Sequence, residues 1–129
     1  MATFSVDSKQ GWQGKFKLDA GNGFVVRPSG TWKFDPGRSA VGAGGIGPSS
    51  PNMPVTNCNQ GCLLINITPL GVELGFGSVY CFTSDTAMQS FTPDQVPKNS
   101  GISFRINDDN VGDNDGQLTL DVSGNITPV

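Results

Sequence analysis

Between Asn107 and Gly116 the chain runs Asn-Asp-Asp-Asn-Val-Gly-Asp-Asn-Asp-Gly, seven side-chain oxygen carriers in ten residues, four of them Asp. A hard cation such as Ca2+ takes about six to eight oxygen ligands from carboxylates, amides and main-chain carbonyls, so one short segment of this composition can supply most of a coordination shell. Left alone, four neighbouring carboxylates repel one another, and no Lys or Arg occurs after Arg105 to offset them. A divalent ion or full solvation must take up that charge. The competing reading is a plain turn, because Asn, Asp and Gly also make tight hairpin connections. The number of oxygen carriers favours the ion. The segment is not an EF-hand: counting from Asp108, that loop needs Gly sixth and Glu twelfth, and here those places hold Asp113 and Thr119.

The flanking residues indicate what positions this segment. Ile102, Phe104 and Ile106 alternate with Ser103 and Arg105, and Leu118, Leu120 and Val122 alternate with Thr119 and Asp121, the period of half-buried strands. The expectation is a hairpin tipped by the acidic residues. Such a hairpin must pack its apolar face into a sheet, which sets its tip at one rim of a sandwich, where binding sites gather. Upstream, Trp12 to Phe34 also looks like paired strands turning at Ala20-Gly21-Asn22-Gly23 and Pro28-Ser29-Gly30, with Trp32 and Phe34 facing the core. From Pro36 to Asn57 four Pro and five Gly interrupt regular structure, and loops that long inside a domain tend to be binding loops or linkers. The apolar run Cys62-Leu63-Leu64-Ile65-Asn66-Ile67 then resumes a strand, with shorter candidates near Val72–Leu74, Ser78–Phe82 and Met88–Phe91.

Composition agrees with this. Helix formers are scarce, with Glu73 the only Glu, whereas Gly and Pro number 18 and 9 and β-branched residues fall in short runs. One all-β domain spanning 1–129, a β-sandwich of two antiparallel sheets, is expected. Net charge is −3 and the eight basic residues are scattered, so the positive surface that holds phosphates is missing and nucleic acid is not an expected partner. No apolar stretch approaches the ~20 residues of a membrane span, so no membrane insertion is expected. The start, Met-Ala-Thr-Phe-Ser-Val-Asp, lacks the order of a signal peptide. A cytoplasmic protein, or one released without a classical signal peptide to act on extracellular glycans, is the corresponding expectation.

Several chemistries lack their residues. There is no His, which removes His-based triads and the commonest zinc ligand. The three Cys have no activating His, and four Asp on one wet turn lack the apolar pocket that raises an acid's pKa, so no enzyme is expected. Gly42–Gly47 does not follow a strand and open a helix as a phosphate loop must. Cys58 and Cys62 bracket three residues, and either a bridge between them or three reduced thiols is compatible with the spacing. Asn66-Ile67-Thr68 and Asn125-Ile126-Thr127 match the glycosylation pattern, as chance alone would provide.

A Gly-Thr-Trp-x-Phe strand, a Gly/Pro-rich loop, a Cys-x3-Cys start to an apolar strand and a closing Ile-x-Phe-x-Ile-Asn-Asp…Asp-Asn-Asp-Gly segment together resemble the bacterial PA-I-type galactophilic lectins, over about Trp12 to Val122. The resemblance implies a jelly-roll-like sandwich, a homo-oligomer (tetramer or dimer), and a Ca2+ ion that coordinates two adjacent hydroxyls of galactose. It implies metal ligands at Asp108, Asp113 and Asn114, main-chain ligands at Asn110 or Val111, and a distant carbonyl at Asp35. Asp108, Asp109 and Asp113 would touch the sugar. Two departures stand out: the segment is two residues shorter between Asp108 and Asp113 than the family pattern, and the family's His and Gln that fix the sugar's primary hydroxyl are missing. In their vicinity lies Ser50-Pro51-Asn52-Met53-Pro54, where Asn52 can replace one hydrogen bond.

The expected function is therefore calcium-dependent recognition of galactose-type glycans. The alternatives are a structural or adhesive module in which Ca2+ only rigidifies 107–116, or a carbohydrate-binding module from a larger enzyme.

Overall fold

Alternation of apolar and polar residues produces strands, and the pairing of those strands decides the architecture. A computed structural model describes residues 2–18, 24–35, 37, 39–47, 54–69, 78–85, 88–91, 100–108, 111–124 and 126–128. Among them ten strands form two antiparallel sheets: β1 Ala2–Asp7, β2 Gln13–Leu18, β3 Phe24–Ser29, β4 Trp32–Lys33, β5 Leu63–Pro69, β6 Ser78–Cys81, β7 Gln89–Phe91, β8 Ser100–Ile106, β9 Asp115–Gly124 and β10 Ile126–Pro128. One sheet has the order β1-β9-β3-β7, with β4 added to the start of β9; the other has the order β10-β2-β8-β5-β6.

The pairs nest: β1 with β9, β2 with β8, β3 with β7 and β5 with β6. The chain thus folds as one long hairpin whose two arms are wound around the core. Winding then brings β9 against β3 and β8 against β5. This is jelly-roll connectivity, in which most successive strands enter opposite sheets, the pair β5 and β6 staying together in the second and β3 and β4 in the first. The inner faces meet in one cluster, with Val6, Phe24, Val26, Phe91, Leu118, Leu120 and Val122 from the first sheet against Leu63, Ile65, Ile67, Ile102, Phe104 and Ile106 from the second. Trp32 and Phe34 belong to it as the sequence suggests.

Two expected hairpins are replaced by crossovers. β8 and β9 lie in different sheets, so the acidic segment spans the end of the sandwich instead of tipping a two-stranded ribbon. β2 and β3 are likewise in opposite sheets, while their connection lies outside the described residues. Period-2 patterning fixes which face of a strand is buried but says nothing of its partner. The candidate at Val72–Leu74 also lies outside the described residues.

The Pro/Gly-rich segment is built into the sandwich where it is described. Trp32 and Val41 exchange both main-chain hydrogen bonds, as do Ile46 and Gln60, and Leu63 donates to the carbonyl of Ala43. Gly45, at φ 64°, lies so close that a Cβ would collide with the Gln60 carbonyl. These glycines serve close packing of main chain.

The cysteine pairing differs from the short-range expectation. Cys58 bonds to Cys81, and Cys62 is a buried free thiol. The cause lies in the register: Leu64 pairs with Cys81 on the outer face of the second sheet, and the segment carrying Cys58 folds over that face into a second apolar cluster of Cys58, Cys62 and Leu64, flanked by Trp12, Val55, Val79 and Cys81. Asn66 is fully buried on β5, so its glycosylation motif cannot be used in the folded protein; Asn125 lies outside the described residues.

Breaking the crosslink by Cys81→Ser is expected to lower unfolding free energy by about 3 kcal/mol, the loop-closure value for a crosslink between residues 23 apart, measured in urea. Burial pushes the Cys62 thiol from its ordinary 9.0 up to about 12. Below pH 9 both states hold the proton; between pH 9 and 12 only the unfolded chain releases it, so stability falls as pH rises through that window. The loss should be present in wild type and missing from Cys62→Ala, followed by denaturant melts at each pH.

Candidate functional site

The acidic crossover is held at both ends by polar side chains that reach far along the sequence. At its start, Asn107 is fully buried and turns its side chain away from the crossover, toward the 55–59 segment. Its Oδ1 accepts from the Val55 amide at 3.1 Å, and its Nδ2 faces the carbonyls of Val55, Cys58 and Asn59 at 3.1, 3.3 and 3.0 Å. Its main chain donates to Cys62 and accepts from Gly61. The amide is thus committed to the 55–59 segment and turned away from the crossover.

Gly61 in turn sits beneath two aromatic residues. Its carbonyl accepts from the Trp32 indole at 2.7 Å, and at φ 72° it leaves room for the Phe34 ring where any Cβ would collide. β4 is thereby tied both to this segment and to β9, through the Trp32–Gly116 and Lys33–Asp115 pairs. Asp35 follows on the same rim. It is exposed, and its Oδ1 accepts from the Gly37 amide at 2.9 Å in its own turn.

Asp108 comes next and is 3% exposed, an unusual setting for a carboxylate. Arg105, half-buried on the outer face of β8, donates from Nη2 to the Asp108 main-chain carbonyl at 3.0 Å and from Nε to that of Ile106 at 3.0 Å. Burial lowers the Arg105 pKa, and the Asp108 carboxylate works against that fall. The last basic residue of the chain thus folds onto the main chain of the first Asp of the crossover.

Asp109 and Asn110 lie outside the described residues. The chain resumes in a single 3-10 turn, Val111–Asp113, closed by the Asn114 amide donating to the Val111 carbonyl at 3.1 Å. Asn114 is 2% exposed. Its Nδ2 donates to the Ser8 carbonyl at 2.8 Å, while its Oδ1 is buried with no hydrogen-bond partner among the described residues. A buried amide oxygen left so costs about 1–3 kcal/mol. Ser8 braces the neighbouring residue too, donating from both its hydroxyl and its amide to the Gly116 carbonyl at 2.7 and 3.2 Å. Asp115 is exposed, and its Oδ1 accepts from the Gly116 amide.

Of the seven oxygen carriers, Asn107 is a clamp and Asp115 completes its own turn, whereas Asp108 and Asn114 are buried on either side of the connection. Asp108 and Asn114 carry oxygen atoms of the kind a hard cation takes, and the Asn114 oxygen is the one without a partner among the described residues. Val111 contributes a carbonyl already engaged once, with a second lone pair remaining. Among the described residues no three acidic or Cys side chains gather into a metal cluster. For Asp113 the main chain alone is described, and Asn52, the expected sugar contact, lies outside the described residues. Beside the start of β9 a shallow cleft of about 200 Å³ is lined by Thr31, Trp32, Lys33, Ala40, Asp115 and Gly116.

No family model matches the chain, and no curated protein matches it. Sequence reasoning did not find Ser8 or Arg105 as partners of this segment. Ser8 carries no local signal, standing more than a hundred residues from Asn114, whereas the position of Arg105 as the last cation before the acidic run was a usable one.

If Asn107 is a clamp, Asn107→Ala should cost about 2–4 kcal/mol in a urea melt, as three buried carbonyls and one amide lose their partner. Asn107→Asp should cost at least as much, since it turns a carboxylate toward those carbonyls. An ion ligand would behave oppositely, with the Asp variant gaining stability on addition of Ca2+.

Proposed function

We propose that the chain is a calcium-dependent carbohydrate-binding lectin whose ion sits in the 108–114 crossover. The observation that carries this reading is the Asn114 side chain, its nitrogen anchored on Ser8 and its oxygen buried without a partner among the described residues, at the far end of a connection that begins with the buried Asp108. Structural turns satisfy such an oxygen from within; a hard cation satisfies it from without. The segment joins two sheets and so is a crossover connection in place of a hairpin turn.

In this reading Asp108, Asp113 and Asn114 give side-chain oxygens, and carbonyls of Asn110 or Val111 and Asp35 complete the set. An ion held by these residues would take vicinal hydroxyls of a galactose-type sugar as further ligands. Asp108, Asp109 and Asp113 accept the hydroxyl protons in charge-assisted hydrogen bonds, and Asn52 meets a further hydroxyl. A bound calcium ion here polarises and orients; it performs no bond cleavage, and the chain is a binder and not an enzyme. Sites of this kind are individually weak, so a homo-oligomer would supply avidity.

A second reading, a structural module in which the ion only stiffens the crossover, is favoured by the depth of Asp108 and Asn114, 3% and 2% exposed. Calorimetry separates the two. Calcium at a hundredfold excess over Kd should stabilise the fold by about 3 kcal/mol, and galactose should add to this only when calcium is present. Stabilisation by calcium with no response to any sugar on a glycan array, with and without chelator, would leave the structural module. Asp108→Asn should remove both effects.

A further inference from the structure

The cysteines gather on the outer face of the second sheet, and none of them belongs to the large core between the sheets. The segment that carries Cys58 is a loop with a neck: Ile46 and Gln60 exchange both main-chain hydrogen bonds where the chain leaves and returns. Residues between them can move without pulling on a strand. Over 54–59, the described bonds to the rest of the fold are the Cys58–Cys81 crosslink, those to the Asn107 side chain, and the one from Asn59 Nδ2 to the Gly44 carbonyl at 3.1 Å. The Asn107 amide offers two N–H protons to three carbonyls, so its hold is shared thinly. At the other end of the crosslink, Cys81 closes β6, the edge strand of the second sheet. The β5 ladder holds it there through the Leu64 pair, and Phe82 next to it donates to the Leu63 carbonyl at 3.0 Å. That edge does not need the crosslink to stay in place.

We infer that Cys58–Cys81 is a redox latch: opened by a dithiol reductant, it lets residues 54–59 lift from the outer face and bare Cys62 while the sandwich stays folded. The step is thiol–disulfide exchange. A thiolate of the reductant attacks the sulfur of half-buried Cys81, and Cys58, 5% exposed, leaves as a thiolate and takes up a proton. The second sulfur of the reductant then displaces Cys81 from the mixed disulfide. Two electrons and two protons pass to the protein, and the reductant ends as its own cyclic disulfide. Conformational freedom regained by 54–59 then works against a few hydrogen bonds of modest net worth. With the latch closed, Cys62 is fully buried and its thiol is held protonated by that burial. Lifting returns it to water and to nucleophilic reactivity. The same motion takes from the Asn107 side chain its partners at Val55, Cys58 and Asn59, while its main-chain bonds to Gly61 and Cys62, beyond the neck, remain. The start of the crossover is thus loosened without being freed. None of this requires an ion in the crossover.

The test labels the protein with N-ethylmaleimide before and after dithiothreitol, with peptide mass spectrometry to place each adduct and amide hydrogen exchange to follow the fold. Before reduction no cysteine should be labelled; afterwards Cys58, Cys62 and Cys81 should all be. Amide protection should be lost at Val55 and Cys58 and kept at Leu118, Leu120 and Val122 in the core. A variant combining Cys58→Ala with Cys81→Ala should expose Cys62 to label without any reductant. On removal of dithiothreitol in air, Cys58–Cys81 should re-form and Cys62 become unreactive again. Cys62 unlabelled in reduced wild type means that the segment stays down, and overturns the latch. Loss of protection throughout the sandwich on reduction overturns it too, since the crosslink is then a staple of the whole fold. So does re-oxidation to Cys58–Cys62, which would make the opening irreversible.

Discussion

The constraint on which the site depends is the change of sheet between Ile106 and Asp115. β8 and β9 belong to opposite layers, so the chain must cross the mouth of the core, a distance set by the roughly 10 Å between packed sheets. There apolar packing gives out and main-chain groups lose their ladder partners, and every buried polar atom must find a bond from somewhere else. Asn107, Asp108 and Asn114 are buried because of where the crossing runs. A hairpin tip would have left them in water, and their oxygen atoms would then say little about a ligand.

What anchors the crossing is a chain of contacts drawn from distant parts of the sequence. Trp32 bonds Gly61, Gly61 bonds Asn107, and Asn107 holds Val55, Cys58 and Asn59, while Ser8 receives Asn114 from the opposite side. Each link is a hydrogen bond to main chain, insensitive to what side chain the partner carries but sensitive to its path. This is why Gly61 and Gly45 matter: they let aromatic rings and carbonyls come close enough for the links to form. The stretch that looks pliable by its Gly content is, where described, among the most tightly fitted parts of the molecule.

How much of this was legible in the sequence follows from what each signal encodes. The inward faces of β8 and β9 could be read directly, since Ile102, Phe104 and Ile106, and Leu118, Leu120 and Val122 keep strict alternation, whereas the continuous run Phe24-Val25-Val26 of β3 does not tell its faces apart. β1 was open to the same reading through Phe4 and Val6. Strand partners were not, because pairing is settled by winding and not by local period, and the hairpin expected at 107–116 was mistaken for that reason. The acidic composition singled out the 107–116 segment, yet it could not separate Asn107, which faces inward as a clamp, from Asn114, whose side-chain oxygen has no partner among the described residues. Cys81 looked isolated because its neighbour, Leu64, is set by sheet register.

The arrangement of the three cysteines bears on the order in which the molecule is made. As the chain is synthesised, Cys58 and Cys62 emerge together, and Cys81 follows only after β5 is complete. The first bridge on offer in an oxidising setting is therefore the wrong one. Docking of β6 along β5 is what presents Cys81 to Cys58 and lets Cys62 sink into the apolar cluster. Correct crosslinking thus records that the edge of the second sheet has been assembled, and a chain sealed too early carries its third thiol exposed, a ready mark for disulfide exchange and repair.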